Sequence, residues 1–416
     1  ATTAVAAQSL GELWKQVDAA TEKDRPRTAI ELLDMIHAAS TKEGNHAEAV
    51  KALAWKLNHR QRIEGGKAEE KIVRLEEALE AAPPQQRPVL ETILGHWYWQ
   101  YFQQNRWRFM QRERTAQPPG DDIQTWDLSR IFAEIAKHHE AALAHRDALL
   151  DIPLSDFAPL LDTGEMPRAY RPTVYDFLAF EALAFYSAGE QAAASPQDAF
   201  VLRSDSPVFG DSDEFLAWDI ETTDAESPVY KGLVLFQDIL RTHRDDSDPS
   251  AFYDANFQRL QFGAHHASGT DATTRLTAAL ADFARTTRGH LISARVRAAW
   301  AQALHSEGEL VEAHRVASAG VEAYPDSPGG RQCLNLLRQI ERPSLSVATE
   351  RVWNAPWPTL DVDYRNLAAV HFRVVELDWE TRLARKNVFD PEQINREYLE
   401  ELLGRDALRE WSAALP

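Results

Sequence analysis

The sequence has a single cysteine, Cys333, among 416 residues. One cysteine excludes an intrachain disulfide, and cysteine poverty fits both the cytosol and a bacterial envelope protein, so this count leaves the compartment open. No window reaches the roughly 18 apolar residues that a membrane-spanning helix needs. Basic residues are also outnumbered by acidic ones, 45 against 64, which gives a formal net charge of −19. Since so acidic a surface repels phosphate backbones and anionic lipid, neither nucleic acid nor a membrane surface is an expected partner.

Motifs of common catalytic sites are missing as well. The chain has no glycine-rich phosphate loop and no nucleophile elbow. The run His138-His139-Glu140 is followed by His145, but a zinc helix of the His-Glu-x-x-His type requires a second histidine at the position of Leu143. A solvated helix face is the favoured interpretation of this run and of His265-His266. We therefore expect no catalysis, no cofactor and no metal ion.

Two further candidates for chemistry have simpler structural interpretations. The acidic tracts Asp211–Glu214 and Asp245–Asp248 lack the register of a calcium loop, and helix N-caps or solvated turns are favoured for them. Cys333 lies in a helical pattern with no activating base nearby in the sequence. A buried structural thiol is therefore expected there.

About 340 residues show the hydrophobic periodicity of α-helices. Two segments, 29–57 and 294–325, resemble tetratricopeptide units, with tight turns predicted at Gly44 and Gly308. In both segments an alanine follows five residues after the turn glycine. Small residues are expected there, because two antiparallel helices approach closely only where side chains are short. A third, weaker unit is predicted at Ile72–Ala82. These patterns predict a tetratricopeptide-like helical solenoid over residues 1–342.

A dense aromatic segment lies inside this helical region, between Val89 and Met110. Its rings recur at i and i+4 and therefore share a helix face. An exposed aromatic platform could grip a peptide or a sugar, whereas a fully buried solenoid helix gives the same pattern and is the favoured alternative. The candidate partner-binding residues of such a platform are Trp97, Tyr98, Tyr101 and Trp107.

The pattern changes at Pro343. The ranges 345–347, 357–367 and 370–377 alternate apolar and polar side chains with period two, which is typical of half-buried strands. Residues 343–416 are therefore expected to begin a β-sandwich but to leave it incomplete, because a sandwich normally needs roughly seven strands. The strand Leu360–Tyr364 is predicted to pair with Val370–Val374 across a turn at Asn366, and residues 390–415 are predicted to be helical. The chain is thus expected to be a mainly α piece of a longer protein.

Two stretches resemble the amino-terminal portion of large bacterial α2-macroglobulin-like proteins, in which a helical region precedes the first macroglobulin-like β-sandwich. One runs from Asp156 through Arg171-Pro172-Thr173-Val174-Tyr175 to Tyr186, and the other contains Tyr364-Arg365-Asn366. Asp254–Phe262 is similar to a stretch of the same helical region. The resemblance implies protease trapping by the parent protein, through a bait segment and often a Cys-x-x-Gln thioester. Neither occurs in this chain, because Cys333 is followed by Leu-Asn-Leu.

The resemblance implies a non-catalytic scaffold or recognition module of an extracytoplasmic protease-trapping protein, with a protease or an envelope protein as partner. Residues 1–8 resemble a stretch just downstream of a processed leader, which predicts a periplasmic, cell-surface or secreted location, although a trimmed expressed protein gives the same start. Two alternatives remain open. One is a free-standing tetratricopeptide-like adaptor that binds peptides in a concave groove. The other is an aromatic-lined helical protein that binds or processes glycans, based on the Trp97–Phe109 cluster.

Overall fold

Helices form most of this chain in a computed structural model that describes residues 9–112, 120, 122–161, 164, 166–190, 199–349, 359–378, 380 and 396–416. The expected fold class, mainly α with a short β segment at the carboxyl end, is confirmed. The chain divides into two compact units, residues 1–333 and 334–416, and the first strand begins at Ser344. None of the described helices is both long enough and apolar enough to span a membrane.

The elements are numbered in chain order. The described α-helices α1 to α17 are Leu10–Glu22, Pro26–Glu43, His46–Ile63, Ala68–Ala81, Arg87–Gln104, Arg106–Met110, Leu128–Leu143, Arg146–Leu150, Val174–Tyr186, Ser212–Ala217, Pro228–His243, Ser250–His266, Ala272–Thr286, Ile292–Ser306, Leu310–Ala323, Pro328–Glu341 and Arg396–Leu403. The described strands β1 to β4 are Ser344–Thr349, Leu360–Arg365, Ala369–Val375 and Ala407–Ala414.

Both predicted tetratricopeptide-like segments form helix pairs. In the first pair, α2 and α3 are joined at Gly44, whose φ of 74° places it in the left-handed region that favours glycine. In the second, α14 and α15 are joined in the same way at Gly308, with φ 85°. The alanines that follow these turns, Ala49 and Ala313, are completely buried, and the predicted close approach of each pair is confirmed. The weaker third unit corresponds to α4.

One continuous apolar core runs from α3 to α14, and α5 lies at its centre. Because apolar residues occur all round α5, the helix is buried on nearly every side, as a solenoid helix between two neighbours should be. Phe102 contacts Phe132 of α7 edge to face, with ring centres 4.9 Å apart, and Phe132 contacts Phe185 of α9 at 6.2 Å. This ring series ties α5, α7 and α9 together.

The carboxyl-terminal unit contains two antiparallel two-stranded sheets, one of β1 with β2 and one of β3 with β4. Strands are confirmed at three predicted places, although residues 350–358 lie outside the described part. The predicted hairpin of β2 with β3 is wrong. The turn at Asn366 exists, with φ 55°, but its side-chain amide donates to the Ile340 carbonyl at 2.7 Å and the chain passes from one sheet into the other. Among the described strands, β2 pairs with β1 and β3 pairs with β4, in two separate sheets.

The predicted helix over residues 390–415 is only partly correct. Helix α17 ends at Leu403, β4 follows, and residues 390–395 lie outside the described part. The β4 sequence is rich in alanine, leucine, arginine and glutamate, which favour a helix. Pairing with β3 overrides that preference, since Trp411 stacks on Phe372 across the ladder with ring centres 4.9 Å apart.

Candidate functional site

A cavity of about 490 Å³ opens beside α9, and we call it the α9 cavity. One wall is α9 itself, which begins at a reciprocal N-cap because Thr173 and Asp176 each bond the other's backbone amide. Helices α11 and α12 and two short 3₁₀ turns complete the enclosure. Its lining residues are Leu154, Met166, Pro167, Arg168, Arg171, Phe177, Phe180, Glu181, Leu183, Ala184, Ser187, Phe236, Gln258, Gln261, Phe262 and His265.

Aromatic rings form the apolar surface of the α9 cavity. Phe236 of α11 lies between Phe180 and Phe262, with ring-centre distances of 6.4 and 5.5 Å. Phe262 reaches this place because α11 carries Gly232 opposite it, where an added Cβ would lie 2.7 Å from the Phe262 ring. The glycine is therefore required for the close approach of the two helices, and the approach positions the ring.

A buried ion network supports the cavity from behind. Asp254 of α12 is 1% exposed and accepts hydrogen bonds of 2.6 Å from Arg171 and from Arg295, one to each carboxylate oxygen. The Arg171 guanidinium also lies over the Phe180 ring, 3.1 Å from its centre. Burial lowers the pKa of Arg171, while the Asp254 carboxylate compensates its charge. The network fixes the start of α9 against α12.

Glu181 is the acidic residue among those that line the cavity. Its carboxylate has no hydrogen bond or ion pair with any described residue. Burial raises the pKa of Glu181, because the charged form loses hydration. Arg168 and His265 lie at the exposed rim. The cavity thus has one carboxylate and several phenylalanine rings in its lining, a combination that suits an organic cation.

The four predicted partner-binding residues do not form one exposed surface. Trp97, Tyr98 and Tyr101 are buried, and only Trp107 is exposed, at 75%. Their polar atoms have internal partners: the Tyr98 hydroxyl donates to Glu76 at 2.6 Å, and the Tyr101 hydroxyl accepts from Arg108 at 2.6 Å. The favoured alternative, a buried solenoid helix, describes α5.

The histidine run on α7 departs from its prediction. His138 and His139 are buried, at 5% and 4% exposure, so the predicted solvated helix face is wrong there. Their burial follows from the position of α7 between α5 and α9, where His139 stacks on Phe185. Burial lowers the pKa of His139 to about 4. His265 is exposed as predicted, whereas His266 is half-buried against Phe262.

Two structural predictions are confirmed at other candidate groups. Asp211 caps α10 by accepting from the backbone amides of Asp213 and Glu214 at 2.9 Å each. Cys333 is buried, and burial raises the pKa of its thiol to about 11, so the thiolate is scarce at neutral pH. The Cys333 thiol therefore has neither the exposure nor the ionisation of a reactive cysteine.

The sequence did not reveal that a buried histidine, His243, lies between two carboxylates, the buried Asp176 of α9 and the exposed Asp246 just after α11. His243 Nε2 lies 2.7 Å from Asp176, and its Nδ1 lies 2.7 Å from Asp246. Burial alone would lower the pKa of His243, but the hydrogen bonds to both carboxylates hold it above its ordinary value. Because both ring nitrogens are occupied, the imidazole has no free atom with which to act as a base. Its role in this geometry is to hold α9 to α11.

No protein-family model matches this chain, and no curated protein matches it. The resemblance to α2-macroglobulin-like proteins therefore depends on the quoted stretches alone.

Proposed function

We propose that the chain is a non-catalytic recognition module whose helical unit binds an extended protein segment by anchoring one lysine or arginine side chain in the α9 cavity. The observation that carries this proposal is Glu181, a carboxylate without a described partner on an aromatic wall. A lysine or arginine side chain would supply the missing charge, and its methylene groups would cover Phe177 and Phe180.

The charge of the whole chain supports the same choice of ligand. A net charge of −19 attracts basic segments and steers them towards the surface, while it repels acidic ones. The two glutamines on α12, Gln258 and Gln261, offer amide donors and acceptors to a peptide backbone at the cavity mouth. The cavity is also large enough for a single long side chain but small for a folded domain.

The wider proposal keeps the family resemblance: the module belongs to the amino-terminal part of an extracytoplasmic α2-macroglobulin-like, protease-trapping protein. The order of a helical unit followed by strands supports it. So does the exposure of Leu345, Val347 and Leu408 on the two small sheets, which neighbouring β modules would cover. On this proposal the gene continues into further β-sandwich modules of about 100 residues each. A stop codon directly after the codon for Pro416 would contradict it.

The peptide proposal is tested by the affinity of two fluorescent peptides that differ only at one central residue, lysine in one and norleucine in the other. We expect the lysine peptide to bind the full chain more tightly by about 10- to 100-fold, since a hydrogen bond to a charged group contributes about 1.5–3 kcal/mol. Glu181→Gln should abolish this preference. Glu80→Gln is the matched control, because it removes the same charge from an exposed position on α4.

Equal affinity of the two peptides, or an unchanged preference in Glu181→Gln, would rule out the anchoring role. A cytoplasmic partner whose binding depends on Glu181 would instead favour the free-standing adaptor, which uses the same cavity without the protease trap.

A further inference from the structure

A second cluster of polar side chains lies between α4 and α7, away from the α9 cavity. It consists of Glu76 of α4 with Glu134 and His138 of α7, and ligand atoms of all three lie within 4.8 Å of one another. Glu134 and His138 are buried, at 4% and 5% exposure. They are four residues apart on α7 and therefore lie one turn apart on the same face.

The orientation of His138 is set by a carboxylate behind it. Glu91 of α5 lies 2.6 Å from Nδ1 of His138, which assigns the Nδ1 proton to this hydrogen bond. Nε2 then carries the lone pair. It has no hydrogen-bond partner among the described residues, and it lies 3.6 Å from Glu134 Oε1. A carboxylate that holds one ring nitrogen while the other faces further ligands is the usual outer shell of a metal-bound histidine.

We propose that Glu76, Glu134 and His138 bind a divalent transition ion of the zinc class, with Glu91 as the positioning residue for His138. Metal–ligand bonds of about 2.1 Å at tetrahedral angles place two ligand atoms roughly 3.4 Å apart. The 3.6 Å between His138 Nε2 and Glu134 Oε1 matches this separation closely. One imidazole and two carboxylates suit zinc, whereas calcium and magnesium prefer oxygen ligands alone.

A route to the cluster exists on the α4 side. A cavity of about 350 Å³ reaches Glu76 and Tyr98, and five of its ten lining residues are acidic, against one basic residue, Arg74. The acidic residues are Glu69, Glu70, Glu76, Glu77 and Asp122. Such a cavity concentrates cations at its mouth. Tyr98 closes its inner end, since its ring stacks on His138 with centres 5.5 Å apart and its hydroxyl donates to Glu76 at 2.6 Å.

Two basic side chains compete with a metal ion for Glu134. Lys137 Nζ lies 2.5 Å from Oε1, and an Arg130 nitrogen lies 3.0 Å from Oε2 without hydrogen-bond alignment. Lys137 is 68% exposed, so its ammonium group can turn to water when a metal ion takes its place. The rival state is a doubly protonated His138 shared between Glu91 and Glu134. The two states differ in whether His138 Nε2 carries a proton or holds a metal ion.

The test is binding of Zn²⁺ to the full chain, purified without a histidine tag and treated with a chelator. We expect one Zn²⁺ per chain after dialysis, a rise in melting temperature with Zn²⁺ but not with Mg²⁺ or Ca²⁺, and visible absorption bands when Co²⁺ replaces Zn²⁺. Glu76→Gln should weaken binding by about 100-fold or more, and Glu91→Gln by about 10- to 100-fold. The matched control Glu80→Gln, exposed on the same helix and outside the cavity lining, should leave affinity unchanged.

Absence of bound Zn²⁺, or equal affinity in Glu76→Gln and Glu80→Gln, would overturn the proposal and favour the protonated histidine. His145→Gln removes an exposed histidine just beyond α7. If it reduced the stoichiometry as much as Glu76→Gln does, the ion would be held by the surface and the proposal would fail. Circular dichroism of each variant separates a lost ligand from a lost fold.

Discussion

Gly320 of α15 allows a direct test of the packing of this helix against Cys333 of α16. A Cβ added at Gly320 would lie 2.5 Å from Cys333 Sγ and 3.5 Å from Arg297 Cβ. Because non-bonded heavy atoms need about 3.5–4.0 Å, the Gly320→Ala variant must displace the thiol or the helix by roughly 1 Å. Overpacking of this kind costs about 1–3 kcal/mol. The substitution is therefore expected to loosen the contact between α15 and α16 at Cys333.

The single cysteine supplies the assay. In the native chain the Cys333 thiol is buried, and burial raises its pKa to about 11, so that the reactive thiolate is scarce at neutral pH. Reaction with a thiol reagent therefore requires local opening. A loss of 1–3 kcal/mol in the closed state should raise the labelling rate by about 5- to 150-fold.

The control is Gly289→Ala, whose added Cβ meets nothing within 4 Å. It should leave the labelling rate unchanged. The double variant Gly320→Ala with Cys333→Ala should recover most of the stability lost in Gly320→Ala, because a methyl group then replaces the thiol. Thermal unfolding of the native chain, Gly320→Ala, Cys333→Ala and the double variant should give a coupling free energy of about 1–3 kcal/mol between the two positions. Additive losses, or equal labelling of Gly320→Ala and Gly289→Ala, would refute the contact.

Three further predictions concern other contacts of the helical unit. Asp254→Asn leaves the buried Arg171 and the half-buried Arg295 without their carboxylate and should cost about 3–5 kcal/mol by urea unfolding, against less than about 0.5 for the exposed Asp282→Asn; equal losses would contradict the network. Because the folded chain holds the His243 proton more tightly than the unfolded one, its contribution is complete below about pH 6.5 and is lost as pH rises through the folded pKa. His243→Gln should remove this pH dependence of the free energy of unfolding. An unchanged pH profile in the variant would exclude the contribution of His243. Trp107→Ala should be nearly neutral in the same measurement, whereas Phe102→Ala should cost about 3–5 kcal/mol, and the reverse order would mean that the aromatic platform is exposed after all.

Local patterns predicted the helix pairs because each carries its own turn signal. Gly44 and Gly308 mark left-handed turns, and the small residues that follow them mark close contact, so neither feature depends on distant parts of the chain. The strand pairing was different. The β2 and β3 patterns and the turn at Asn366 satisfy every local rule for a hairpin, yet β1 and β4 are the actual partners. The choice of pairing partner depends on parts of the chain that are distant in sequence, so a short window of sequence does not predict it.

The sequence patterns did not predict the α9 cavity, because the residues that support it are also far apart in the sequence. Arg171 and Asp254 are 83 residues apart in the sequence, and charged side chains in helical patterns are normally expected at the surface. Only their joint burial shows that they are partners. The histidines of α7 were misplaced in the same way, because a run of polar side chains predicts a solvated face unless neighbouring helices on both sides cover it.

The stretches that carry the family resemblance are also those that build the α9 cavity. Phe177, Phe180 and Glu181 belong to the stretch that ends at Tyr186, and Asp254 and Phe262 bound the second helical stretch. A stretch that only packed a solenoid could exchange its apolar residues for others of similar volume. A buried aspartate between two arginines cannot be exchanged in that way, because each partner alone would be an uncompensated charge. If Glu181 anchors a basic side chain as proposed, the same two stretches supply both the anchor and the buried ion pair that supports it.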